Sequence, residues 1–497
     1  MGSEARPTGK PEYFSVRETS APPNLVGRER ARTFPLPGAA GPAPWGMPWS
    51  IAEALAEDPI VVTGRGAVST CGVGVRHLLE AAREGRPGGK WVEIAGVKYP
   101  GCLVSGWSGK GMAKRLDPGV QFALEAASEA LGESGWADGL RSGGKEAAQR
   151  FGVIAGTSRG CQAAWQQAMA GADGGRRSRP TMAATTTLAA LSGAAAHMAG
   201  AGGPGLTVSA TCASGAFAIT LAAEQLLLGN ADVMLAGGAD AVQNRLVFPG
   251  MAAAGLLGSH VAAEWACRPF EASRDGLILG EGAGFLVLER ASHAAARGAE
   301  VLGTLAGWAV AVNEAAGKTG LSGDGAILEE TVRRAMKTAG FGSVGGGAGE
   351  TIPAAHGSVD GTKKQVVYIN AHGTGMPLND AAEVAAMRSI FGDSLPPMSS
   401  TKPVTGHCLG ATPVLEAIIA MEVLRSGWLP AQAGWTAGGE DIGKPGDHRA
   451  IPDPALGPLN VPVGESRISG AGMALSNSLG FWGYHAALLF AGRATER

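Results

Sequence analysis

The sequence predicts an α/β fold made of two similar rounds of strands and helices. Three observations carry that expectation. β-rich apolar runs alternate with small-residue helical segments, the alternation starts afresh beyond the middle of the chain, and 79 glycines let helices approach a sheet closely. The first round runs through Pro59–Thr63, Phe122–Leu131, Phe151–Ala155, Phe217–Leu228 and Val233–Ala236. The second begins near Gly282–Leu288 and continues through Leu302–Val312, Ile327–Ala339, Val366–Ile369 and Met473–Ser476. No convincing internal sequence repeat accompanies them.

Taken in order, residues 1–57 form a Pro/Gly-rich N-terminal extension expected to be poorly ordered, with one short helix over Trp49–Leu55. Residues 58–297 and 298–493 are the two expected halves. Ala183–Gly203 is rich in small residues but carries His197, which suits a buried helix rather than a membrane span. Gly340–Gly361 and Gly427–Pro462 read as exposed loops. With 17% charged residues and a net charge of −2, the composition is globular and gives no support for a nucleic-acid binder. Six cysteines lack close pairing or metal-ligand spacing, so no metal is expected. Cys71, Cys102, Cys161, Cys267 and Cys408 read as small core hydrophobes in a reducing, cytoplasmic setting, and no secretory h-region follows the N-terminus. The run GEGAG at Gly280–Gly284 lacks the third glycine and distal acid of a dinucleotide fingerprint.

The sixth cysteine is different. In SATCASG, Ser209–Gly215, a short strand at Gly205–Ser209 gives way to an apolar helix that stops at Gly229 and Asn230. Cys212 is thereby placed on a tight elbow at a helix start, where backbone N–H groups are expected to lower the thiol pKa and favour a nucleophilic thiolate. Taken alone, the motif leaves a buried structural cysteine open. Two histidine motifs follow: VYINAHGTG, Val367–Gly375, carries His372, and SSTKPVTGH, Ser399–His407, carries Lys402 and His407. Each puts a histidine at a strand end or loop beside glycines that admit a substrate to the backbone.

With these residues the chain resembles the elongating β-ketoacyl-[acyl-carrier-protein] synthases of the thiolase-like superfamily. The likeness extends from IVVTGRGAVS, Ile60–Ser69, through GNADVMLAGG, Gly229–Gly238, and RPFEASRDG, Arg268–Gly276, to Phe490. It implies two βαβαβαββ halves in an α-β-α-β-α layering, Cys212 in the first and His372, Lys402 and His407 in the second. It further implies decarboxylative condensation of an acyl thioester on Cys212 with malonyl-acyl-carrier protein, in fatty acid or polyketide biosynthesis. The implied partners are an acyl-carrier protein, which carries substrates on phosphopantetheine, and an identical chain or a paralogue in a dimer. No cofactor bound by the enzyme, no nucleic acid and no membrane is implied. His372 and His407 would donate ring N–H groups to the enolate, and backbone N–H groups of Cys212 and Phe481 would form an oxyanion hole. Lys402 would be a partly buried supporting charge, balanced by Glu416 or Asp380. Thr374 and Thr405 flank the histidines; ring orientation and a plain structural role both stay open. An acidic carrier protein calls for a basic patch, with Lys110, Lys114 and Arg115, or Arg176, Arg177 and Arg179, as candidates.

Two departures from the family stand out. Where the family reads close to NSFGFGGTN, this chain has NSLGFWGYH, Asn477–His485. Trp482 adds bulk and restricts φ on a loop where Phe481 would gate the acyl chamber. His485 offers an extra base. In GTSRGC, Gly156–Cys161, Arg159 takes a position that is apolar in the family and lines the acyl channel. A cation there disfavours long alkyl tails, giving a short or functionalised primer; bonding across a subunit interface is the alternative. Two other functions share these residues: a thioester-dependent acyltransferase using Cys212 with a non-malonyl acceptor, and a partner subunit controlling chain length.

Overall fold

The computed structural model describes residues 50–136, 144–175, 177, 179–313, 325–341, 358–359, 362–363, 365–435, 450–468 and 471–493. Most of the extension expected over residues 1–57 lies outside them. Its last part is a helix, Ile51–Glu57, started by a capping box between Ser50 and Glu53.

Ten strands lie along the main sheet: β1 (Ile60–Ser69), β2 (Phe151–Gly156), β3 (Gly205–Val208), β4 (Val233–Asp240), β5 (Gly282–Arg290), β6 (Gly303–Val312), β7 (Val366–Asn370), β8 (Met398–Ser399), β9 (Ala471–Gly480) and β10 (Tyr484–Arg493). Their spatial order is β8-β7-β9-β10-β6-β1-β5-β4-β2-β3. Read outward from the β6–β1 junction, the two halves have the same order. In each, the first strand pairs antiparallel with the fifth and the fifth antiparallel with the fourth. The fourth then runs parallel with the second, and the second with the third. The duplication absent from the sequence is therefore present in topology.

Helices complete the layers. α1 (Pro118–Ser134) covers the outer face of the first half; α3 (Ala326–Thr338) and α4 (Pro377–Phe391) cover the outer face of the second. Between the halves lie α2 (Ser214–Leu227) and α5 (Thr412–Ser426), whose apolar side chains share one cluster with residues from both sets of strands. Ile154, Met234 and Leu288 meet them from one side, and Tyr368, Leu488 and Phe490 from the other. These central helices are apolar nearly all round, as burial between the two halves of the sheet requires. The five expected layers are present.

The boundaries depart from the sequence pattern in instructive places. β1 continues to Ser69, well past Thr63, because Gly64 and Gly66 lie against the α1 backbone where no side chain fits. The expected loop over Gly427–Pro462 is buried at its start, where Trp428, Leu429 and Gln432 are packed inside. Gly156 ends β2 against the first turn of α2: an added Cβ would lie 2.3 Å from the Ser214 carbonyl oxygen. The helix that follows Cys212 is seated by that contact. Gly156→Ala is expected to cost about 1–3 kcal/mol as an overpacking change; urea unfolding of the two proteins measures it.

Candidate active site

Cys212 and His407 leave equivalent points of the two halves. Each lies between the third strand of its half and a central helix, Cys212 after β3 and before α2, His407 after β8 and before α5. Each connection contains a non-glycine residue with positive φ, Thr211 at 50° and Leu409 at 51°. Both residues stand three positions before the first residue of their helix. Among described residues only Ala95, Phe270 and Trp482 share this conformation. Trp482 follows Phe481, and the Phe270 ring lies 3.1 Å from where a Cβ on Gly373 would be. Apart from Ala95, in the hairpin turn between Ile94 and Val97, the strained positions of the described residues gather around these connections.

The second histidine arrives from β7. The His372 and His407 rings are 5.4 Å apart, edge to face at 84°, and both are buried. His372 is fixed by its backbone: its N–H and that of Gly373 donate to the Glu383 carboxylate, each at 2.8 Å. His407 Nδ1 lies 3.2 Å from the Thr412 hydroxyl. When Thr412 donates, the ring proton stands on Nε2. Burial, then the Lys402 ammonium, hold both imidazoles well below the usual histidine range, so they are neutral at pH 7.

Lys402 is fully buried rather than partly buried, and of the two expected partners it pairs with Glu416, Nζ to Oε1 at 2.7 Å. Burial raises the Glu416 carboxyl to about 7, against the pull of Lys402. Asp380 has a different role. It accepts from the backbone of Phe270, Thr374 and Gly375 and lies 3.4 Å from the Arg274 guanidinium. Thr405 donates to the Thr401 and Gly406 carbonyls, and the Thr374 hydroxyl accepts from the Met376 N–H. Neither contact orients a ring; both hydroxyls shape backbone.

Cys212 is buried in a small apolar cluster with Leu409, Phe481 and Met376 close by. The Phe481 N–H points to its sulfur. The expected lowering of the thiol pKa is not found: burial pushes it up to about 12, with Arg159 and Lys402 opposing. At rest the thiol is protonated. Trp482 turns its indole outward, 61% exposed, instead of lining a chamber. His485 is buried, neither ring nitrogen has a hydrogen-bond partner among the described residues, and burial lowers it to about 4.

Sequence reasoning missed Thr412, Glu383 and Asp240. The buried Asp240 carboxylate takes hydrogen bonds from Thr157 Oγ1 and from the backbone of Ser158, Arg159 and Gly410, at 2.7–2.8 Å. A buried acid at a strand end was the only available sign. The two basic runs do meet: Arg115, Arg177 and Arg179 line one cavity of about 140 Å³, while Arg176 lies outside the described residues.

Models of the β-ketoacyl synthase N-terminal and C-terminal domains match residues 106–294 and 342–436. The chain belongs to the β-ketoacyl synthase family. Among its relatives in that family, 3-oxoacyl-[acyl-carrier-protein] synthase 2 of Staphylococcus aureus (strain COL) is 32% identical over 87% of this chain and 97% of its own. The Vibrio cholerae serotype O1 protein of the same name is 30% identical over 87% and 98%. A β-ketoacyl synthase from Burkholderia phymatum superposes with a TM-score of 0.72 at 25% identity, covering 88% of this chain and 99% of that one. A type II polyketide ketosynthase structure with its acyl-carrier protein gives 0.71 at 26% identity, covering 88% and 100%.

Two outcomes follow for this synthase fold. Lys402→Met strands a buried carboxylate and is expected to cost about 3–5 kcal/mol, most of it recovered when Glu416→Leu is added; a double-mutant cycle by chemical denaturation reads both. His485 has a folded pKa near 4 against 6.5 unfolded, so the unfolded chain binds the extra proton and stability is lost as pH falls from 6.5 toward 4. His485→Asn should therefore reduce the loss between pH 7 and 4.5 by roughly 2 kcal/mol, measured at the two pH values.

Proposed function

We propose that this chain catalyses decarboxylative Claisen condensation of an acyl thioester on Cys212 with malonyl-acyl-carrier protein, giving a 3-oxoacyl-carrier product. The observation that supports it is a pair of neutral imidazoles from two separate segments, edge to face, with Leu409, two residues after His407, in the apolar cluster that holds the buried Cys212 thiol.

In the first half-reaction, Cys212 Sγ attacks the carbonyl of an acyl-carrier thioester. The new C–S bond forms, the bond to the phosphopantetheine sulfur breaks, and the thiol proton passes to the leaving thiolate. Splitting the transfer in this way replaces one difficult step by two easier ones. Negative charge on the carbonyl oxygen is met by backbone N–H groups of Cys212 and Phe481, the latter turning from the sulfur it faces at rest.

In the second, malonyl thioester occupies the space before the two histidines. Its carboxylate leaves as carbon dioxide, and the bonding pair becomes an enolate whose oxygen accepts from the ring N–H groups of His372 and His407. Neutral rings suit that task, because each gives a hydrogen bond without giving up its proton. The enolate carbon then attacks the acyl carbonyl and Cys212 leaves as thiolate. Lys402 supplies fixed positive charge from behind the rings, held by Glu416. It touches no substrate.

The carrier protein delivers both substrates, and the basic cavity of Arg115, Arg177 and Arg179 suits an acidic partner. A dimer belongs to the same reading. One solved neighbour, 26% identical, is a ketosynthase/chain length factor structure. A cytoplasmic setting fits six free thiols. The presence of Cys212 favours the catalytic role over that of a binding-only subunit. Cys212→Ala is expected to abolish the acyl adduct seen by intact mass spectrometry, whereas His407→Ala should keep the adduct and lose carbon dioxide release from malonyl-carrier protein by about 10²-fold or more. An adduct persisting in Cys212→Ala would end this assignment.

A further inference from the structure

The loop after β2 is the counterpart, in the first half, of the loop that carries His372 after β7 in the second. Both start alike: Thr157 N–H bonds to the Val208 carbonyl and Ala371 N–H to that of Ser399. The first of these loops holds Arg159. Its backbone is pinned by Asp240, and the same carboxylate binds Gly410 in the turn that follows His407. Arg159 is thus rooted where the Cys212 elbow meets the His407 turn. Its charge is the chief influence favouring the thiolate of Cys212, and it also presses on His407.

The Arg159 side chain is half-buried. Its Nε is buried and has no acceptor, and among the described residues no carboxylate forms an ion pair with it. Asp240 is already occupied by four donors. A cation held beside a nucleophile with a buried, unpaired Nε calls for an anion that arrives with the substrate.

Resting on the condensation described above, we propose that Arg159 receives the far end of the acyl group on Cys212, and that this end is a carboxylate on a short chain. The primer is then the monothioester of a small dicarboxylic acid. A planar guanidinium matches a carboxylate in paired hydrogen bonds, whereas an alkyl terminus would leave the buried Nε unpaired. The malonyl carboxylate is the poorer match. Its charge must leave as carbon dioxide, and a cation gripping it would stabilise the state before bond breaking. A tail carboxylate keeps its charge through both half-reactions.

The test uses the full chain with carrier protein bearing succinyl or butyryl, two four-carbon groups that differ in the terminal carboxylate. Acylation rates at Cys212 are read by intact mass. Succinyl should load about tenfold or more faster than butyryl; Arg159→Met should reverse the order and Arg159→Lys should retain part of it. Faster butyryl loading by the unaltered chain overturns the proposal. So does an Arg159→Met protein whose preference is unchanged while its malonyl KM rises, or while its dimer dissociates, which would place the guanidinium on the extender or on a partner subunit. Absence of any adduct with either donor overturns the condensing assignment itself.

Discussion

The Asp240 carboxylate is the tie on which the rest of the site depends. It ends β4, lies wholly inside the protein, and joins the loop after β2 to the Gly410 turn of the other half. Burial raises it to about 6, while four hydrogen bonds favour its ionised form. Three of its donors are backbone N–H groups that would otherwise face the interior unpaired, a penalty of about 1–3 kcal/mol each. Glu383 does the matching work in the second half, taking the His372 and Gly373 N–H groups and the Asn477 amide. Two buried acids therefore hold the two loops that deliver Arg159 and His372.

Duplication explains how so few elements supply so much chemistry. Each half sends a loop from its second strand and a strained turn from its third to the same central region. The halves repeat the register but not the side chains. The first half contributes a thiol and a guanidinium; the second contributes two imidazoles and the Lys402–Glu416 pair. On the proposed roles, a single half would present nucleophile or enolate donors, never both. The antiparallel seam between β1 and β6, with Ile60 opposite Leu305, makes the halves one sheet.

Types and glycine neighbours made Cys212, His372 and His407 legible in the sequence, since loops that admit substrate need backbone freedom beside reactive groups. The alternation of strands and helices was legible for the same local reason. Long-range ties were not: Asp240 reaches Gly410 across 170 positions, and no periodicity records such a bond. The choice between Glu416 and Asp380 as the partner of Lys402 was not legible either, because Arg274, which reaches Asp380, comes from another segment. The thiol was misjudged for a different reason. Helix-start N–H groups are a local feature, but desolvation is set by the whole surrounding cluster, and here it prevails.

In the proposed reaction that outcome changes how Cys212 must work. A thiol held at about 12 is not a standing thiolate, so its activation has to coincide with substrate arrival. The surroundings are arranged for this. Lys402 and Arg159 both favour the sulfur anion; added to burial, both disfavour protonated His407, and Lys402 disfavours protonated His372 as well. In the proposed reaction their field does two compatible things: it stabilises negative charge on sulfur or enolate oxygen whenever it forms, and it reinforces the burial that keeps the histidines neutral. An imidazolium beside the thiolate could quench it by proton transfer; a neutral ring can only donate a hydrogen bond. Burial, which alone would silence the cysteine, makes that field strong enough to act across the site.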